Sequence, residues 1–401
     1  MKKRILAVLL SAIFVFTLLS GCSNNNDVEV HLNEDVWDGT IATAFEKGNG
    51  TESNPYVISK GSQLAFLAQE VNSGKDYANK FFSLACDLNL NGLEWTPIGN
   101  GTHSFSGTFD GNNHFITNLK INNEVQDAYS TGLFGRCTDA TVKNMSLRDA
   151  EILLQNTVDR NEIAGGILIG SMHVESSATI SNISIVEAKV VCDFSLDISV
   201  KNLYIGGVIG IVDGQNSSLF TMSSIHSETN ISIEKGSGIY NDIGGIVGAL
   251  ITNSMCDIHN CASYLSVKTV VDESHVQNKY FGAFGAIHMS DNTISISKVF
   301  SKLSTNKLER WRGDFAYNAI IGEATCGKQE DGRFHFQNLF GFVEQINELT
   351  GEVTKSMQLY EFPNHVIFSE TNCHGCEQLP TNHGFDETIW NLEDPFKPQL
   401  R

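Results

Sequence analysis

The chain is poor in basic residues: 27 Lys and Arg stand against 46 Asp and Glu in 401 residues, a formal net charge of −19. Nucleic acids and anionic bilayers are held largely through cationic side chains, so this balance excludes both as charge-driven partners. No run of five like charges occurs, so the acidity is spread over a solvated surface. Nucleotide-binding and metallopeptidase signatures are also missing. No Lys-Ser/Thr follows a glycine-rich segment, which excludes a phosphate loop, and the 12 His form no HExxH pair. Long apolar runs are absent beyond Ile5–Leu19, which is too short and too near the terminus for a stable span.

That short run has a different meaning. Lys2, Lys3 and Arg4 precede it and Leu19-Ser20-Gly21-Cys22 closes it, the layout of an export signal. The closing tetrad resembles the bacterial lipobox. The resemblance implies removal of residues 1–22 and acylation of Cys22, leaving a chain anchored in a membrane of the cell envelope and exposed outside the cytoplasm. Two or three acyl chains, each worth about 0.8 kcal/mol per buried CH₂, anchor a protein stably. Removing three cations takes the net charge from −19 to −22. Residues 23–53 are polar and read as a flexible tether.

What fills the rest is a repeat. Glycine-bracketed apolar segments recur at Gly132–Gly135, Gly166–Gly170, Gly207–Gly210, Gly245–Gly248 and Gly282–Gly285, with their last glycines 35, 40, 38 and 37 residues apart. A period of this size marks a solenoid, propeller or array. A second strand follows each segment, with two apolar columns, Val142/Ile180/Met222/Ile258/Ile296 and Met145/Ile183/Ile225/Cys261/Val299. Between them lies an Asn-rich slot: Asn144, Asn182, Ser224, Asn260 and Lys298. Asn tolerates a left-handed backbone and can hydrogen-bond its own kind in the next layer. A third short β-rich run, such as Leu265-Ser266-Val267, completes each unit. Such units bury their apolar face only by stacking, which predicts a parallel β-helix. The glycines are expected at its corners, where the chain bends and the next coil lies about 4.8 Å away.

The pattern divides the chain. Residues 54–129 hold a cap and the first, less regular coils, 130–345 the repeats, and 346–401 an irregular C-terminal cap. Leu64, Leu67, Ala68 and Val71 follow helical spacing, with Ser62 as N-cap and Gly74 just past the end. This helix would cover one end of the core. Polar insertions at 155–162, 234–242 and 271–279 fall at matching places, so they should project from one side. Gly322 and Phe336-Gln337-Asn338-Leu339 read as one more, degenerate coil.

At Gly245-Ile246-Val247-Gly248 and its copies the chain resembles the GLUG-motif repeats of bacterial surface proteins. Gly50–Ile58, Gln63–Ala68, Asp87–Leu90, Trp95–Gly99, Phe105–Gly111 and Phe385…Trp390…Pro398-Gln399-Leu400 strengthen the likeness, which fades over 310–380. The resemblance implies an all-β, right-handed parallel β-helix displayed at the cell surface, in adhesin-like or secreted proteins. It carries no catalytic residues.

Candidate sites are therefore sparse. Trp95 and Trp311 could stack on sugar rings or serve the core and cap. Cys373-His374-Gly375-Cys376 could be a local disulfide, half a metal site or an inert loop; no second CxxC at zinc spacing supports a metal. Cys261 sits in an inward column and reads as a buried thiol. Glycoside chemistry needs two carboxylates about 5–10 Å apart. Asp87 and Asp110 are candidates, but both sit where side chains bond turn backbone. No cofactor is expected. The reading is an adhesion, ligand-binding or scaffold protein at the envelope, its partners the membrane and a glycan or surface protein. The alternative is a carbohydrate-active enzyme, a polysaccharide lyase or glycoside hydrolase.

Overall fold

A computed structural model describes residues 34–122, 129–155, 160–194, 200–215, 217–235, 238–269, 278–289, 293–305, 321–326, 334–346, 353–359, 390–391 and 399–400. Cys22 and the signal segment lie outside the described residues, as do Trp311, Cys373, Cys376 and most of the expected C-terminal cap. Among the described residues no helix is long and apolar enough to cross a membrane.

The fold is a parallel β-helix. Its N-terminal part comprises β1 (Glu34–Val36), β2 (Tyr56–Ile58), α1 (Gly61–Asn72), β3 (Phe81–Leu84), β4 (Asp87–Asn89), β5 (Thr108–Thr117) and β6 (Lys120–Asn122). The coils follow as β7 (Ser130–Thr131), β8 (Phe134–Thr138), β9 (Thr141–Arg148), β10 (Glu151–Leu154), β11 (Arg160–Gly166), β12 (Ile169–Val174), β13 (Ser177–Asp193), β14 (Val200–Gly206), β15 (Ile209–Gly214), β16 (Leu219–Lys235), β17 (Gly238–Thr252), β18 (Met255–Thr269), β19 (Asn278–Met289), β20 (Ile294–Thr305), β21 (Ile321–Cys326) and β22 (Phe334–Ile346). One sheet runs β1-β4-β5-β9-β13-β16-β18-β20-β22-β23, where β23 is Val353–Leu359; the other holds β7, β8, β11, β12, β14, β15, β17, β19 and β21. The coil-to-coil pairings are parallel until β23, which pairs antiparallel with β22. The degenerate last coil is present, since β21 pairs with β19 and β22 with β20.

The predicted columns stand in register: Val142–Ile180–Met222–Ile258–Ile296 and Met145–Ile183–Ile225–Cys261–Val299, all buried in one continuous core. Cys261 is a buried free thiol, pushed up to about 12 by that burial. The slot between the columns is left-handed in every copy, with φ between 53° and 56° at Asn144, Asn182, Ser224, Asn260 and Lys298. Asn182 Nδ2 donates to Asn144 Oδ1 at 3.1 Å, and Asn144 Nδ2 to Asp110 Oδ1 at 3.0 Å, so amides form a ladder across coils. The second and third strands of the repeat are not separate. β13 and β16 each run through both, with a register shift between Ile185 and Ala188 of β13 at the junction.

The repeat glycines serve the close backbone approach expected of them. None of the repeat glycines has a left-handed φ. What they supply is absence of a side chain. A Cβ on Gly248 would lie 2.5 Å from Gly210 O and 2.6 Å from Ile205 N; one on Gly210 would meet Gly170 O at 2.6 Å and Gly165 N at 2.7 Å. A Cβ on Gly206 or Gly244 would overlap the carbonyl oxygen three residues on, at Ile209 or Val247. Register also shifts the repeat's first glycine: Gly166, Gly206, Gly244 and Gly282 are matched, so Gly207 and Gly245 lie one position on.

The N-terminal end corrects two expectations. Residues 34–53, assigned to the tether, fold: β1 pairs with β4, Trp37 is buried edge-on to Trp95, and Phe45 packs on Tyr56, Phe66, Tyr77 and Phe82. The helix forms where its spacing places it, burying Leu64, Leu67, Ala68 and Val71 in the same core. Ser62 is not its N-cap. The helix starts after Lys60 without a side-chain cap of its own; Asp35 Oδ2 accepts from Gly61 N at 2.7 Å, and Gln63 Oε1 from Ser59 N at 2.8 Å. A carboxylate from a distant strand thus satisfies an end that local sequence leaves open. Gly74 ends the helix at φ +105°, as expected.

Candidate functional site

In the second sheet outward side chains of β11 and β14 meet those of β15 and β17 in a crease. Its floor is a small apolar cluster separate from the core: Ala164, Tyr204, Ile211 and Ala249, with Ile251 packed against them. Along the crease stand Arg136 on β8, Glu162 on β11, His173 on β12, Asp213 on β15 and Asp242 on β17. Stacking brings them together. Thr138, His173 and Asp213 share one column, Arg136, Ser171 and Ile211 another, and Ala164, Tyr204 and Asp242 a third.

His173 Nδ1 contacts Asp213 Oδ1 across coils, and its Nε2 lies 3.6 Å from Glu175 Oε1. Burial holds the Glu162 carboxyl above its ordinary range, Asp213 adds to this, and Arg136 opposes it. Burial likewise raises the Tyr204 phenol, with Glu162 and Asp242 contributing. The crease thus offers a carboxyl that keeps its proton to higher pH, a second carboxylate bound to an imidazole, a guanidinium and an apolar floor. It can hydrogen-bond a polar ligand in both senses. Among the described residues no group of three His, Cys, Asp or Glu is arranged to hold a metal ion.

Glu162 makes a pH prediction. Its folded form binds the proton more tightly than the unfolded chain, so its contribution is favourable below the usual Glu range and is lost as pH rises through the raised value. Glu162→Gln mimics the protonated form. It should therefore match the wild type in thermal stability near pH 4 and exceed it at pH 7, by less than about 1 kcal/mol because the group is partly screened by solvent. A variant less stable at pH 7 would contradict this.

The residues singled out from sequence fare differently. Trp95 does not face solvent: it is 1% exposed, and its Nε1 donates to Leu133 O at 3.2 Å. A ring enclosed on all sides cannot stack on a sugar, so Trp95 is a core residue. Asp110 bonds local backbone as expected, its Oδ1 accepting from Asn112 N at 2.8 Å, whereas Asp87 reaches across coils, its Oδ1 accepting from Phe115 N at 3.1 Å. Asp87 also holds His114 Nδ1 at 3.0 Å, and Asp110 lies 3.4 Å from Lys143 Nζ. Arg148 stacks over the Phe115 ring at 4.3 Å. The crease residues went unread because each polar type occurs once or twice. A signal existed in their offsets. Thr138, His173, Asp213, Ile251 and His288 all lie three residues after a repeat's last glycine.

No family model matches the chain. Part of it is 29% identical over 160 residues to Halomucin of Haloquadratum walsbyi, a match spanning 37% of this chain and 2% of that protein. Another match, 27% identical over 146 residues, is to a protein of Evansella cellulosilytica named "Putative Gly-rich membrane protein", spanning 36% of this chain and 16% of that one. The chain thus aligns with a small fraction of either relative's length. Among solved structures it is similar to a "putative immunoglobulin A1 protease" from Bacteroides ovatus, at a TM-score of 0.36 and 16% identity, over 89% of this chain and 95% of that one.

Proposed function

We propose that this chain is a lipid-anchored β-helix of the GLUG-motif repeat kind, exposed at the cell envelope, that binds a glycan or surface protein without chemistry. One observation carries the reading. The outward side of the long sheet carries a column of hydroxyls: Thr108, Thr141, Thr179 and Thr221 stand in register before Asp257, beside a column in which Asp110 and Lys143 precede Ser181 and Ser223. A repeating column of hydroxyls that can both donate and accept hydrogen bonds presents a recognition surface for a polar partner such as a glycan. Likeness to proteins named as a halomucin and a membrane protein agrees with an envelope setting.

The test is a glycan and host-matrix binding array with the chain that follows Cys22. Binding without product supports the proposal; release of unsaturated oligosaccharides overturns it. The enzyme reading has one observation in its favour, the raised Glu162 carboxyl beside Asp213 in the crease. If that reading holds, Glu162→Gln abolishes product release while binding persists. Anchoring is tested separately. Cys22→Ser should end incorporation of labelled palmitate and move the protein from the membrane to the soluble fraction; a variant that stays labelled would rule out the lipid.

A further inference from the structure

We infer that the coils from β18 onward form a separately opening end of the solenoid, with its boundary at Ser224. The amide ladder Asp110–Asn144–Asn182 stops there, because Ser224 occupies the left-handed slot without an amide. Beyond it the penalties concentrate. Asn260 Oδ1, Ser263 Oγ and Ser301 Oγ are buried without a hydrogen-bond partner, and all three lie on the adjacent strands β18 and β20. Gln63 Nε2 and Thr131 Oγ1, also buried and unpartnered, are isolated from them and from each other.

The Asn260 case has a specific cause. In the ladder each amide donates to a side-chain oxygen of the previous coil, Asn182 to Asn144 Oδ1 and Asn144 to Asp110 Oδ1. Register places Lys298 in the slot after Asn260, and its side chain holds no such amide at that distance from the backbone. Lys298 is also held at φ +54°, where a long side chain without a local hydrogen bond is disfavoured. A solenoid's stability is a sum of coil and nearest-neighbour terms, so adjacent coils carrying these deficits open at lower free energy than the rest.

Hydrogen exchange of the full-length chain, followed by peptide mass, tests this. Amides of β18 and β20 should exchange as one group, ahead of those of β9 and β13. Lys298→Asn removes the strained lysine and supplies the missing donor to Asn260. It should slow exchange in β18 and β20 by about tenfold and leave β9 and β13 as they were. Ser224→Asn, which places an amide between Asn182 and Asn260, should slow β18 as well. The inference is overturned if all four strands exchange at one rate, if Lys298→Asn leaves β18 and β20 unchanged, or if Ser224→Asn speeds β18.

Discussion

Gly248→Ala is expected to destabilise the chain by about 3 kcal/mol or more, a large effect for one methyl group. The added carbon would lie 2.5 Å from Gly210 O, 2.6 Å from Ile205 N and 2.8 Å from Ile205 C. All three are backbone atoms of the preceding coil, so no rotamer change relieves the overlap; the coils themselves must separate. That separation also stretches the parallel pairing of β17 with β14 and β15. Gly101→Ala is the control. There the nearest atom to a new Cβ is Tyr129 Cδ2 at 3.4 Å, and the change should stay within about 0.5 kcal/mol. Urea midpoints compare the two. Equal midpoints would show that the repeat glycines are not required by coil contact.

Trp95→Ala is expected to cost about 3–5 kcal/mol, through the cavity left by a large side chain in a packed core. Trp95 is enclosed, with its ring 5.5 Å from that of Trp37 and edge-on to it. The lost hydrogen bond adds little, because Leu133 O still accepts from Ile98 N at 3.0 Å. Trp95→Phe should recover much of the loss by refilling the space. Two measurements separate a core role from a glycan-stacking one. A core residue lowers the melting temperature and leaves binding by the folded protein unchanged. Lost binding at unchanged melting temperature would return Trp95 to the surface.

Much of the architecture is legible in the sequence. The inward columns from Val142 to Ile296 and from Met145 to Val299 were readable because each coil meets the same neighbour in the same way. The left-handed slot was readable from Asn144, Asn182 and Asn260, and it holds even where Ser224 and Lys298 break the residue pattern. There backbone geometry, imposed by the stack, overrides local preference. The helix from Gly61 to Asn72 was readable from its apolar spacing, but its start was not, since the group bonding Gly61 N belongs to Asp35. The folding of residues 34–53 was hidden for a similar reason. That stretch has no periodicity and folds by lending single residues, Trp37 and Phe45, to a core built elsewhere.

The sequence by itself determined that this is a stacked, nearly all-β solenoid, where its coils begin and which side chains point inward. Those properties repeat with every coil, because burying an apolar face against an identical neighbour imposes the same demand each time. Only the tertiary structure decided which backbone atoms the glycines face, and what gathers on the outer side of the coils there. Glu162 and His173 come from β11 and β12 of one coil and Asp213 from β15 of the next, and their meeting depends on coil register and on the close approach of the backbones. A group assembled once, from residues that do not recur, leaves no period to read.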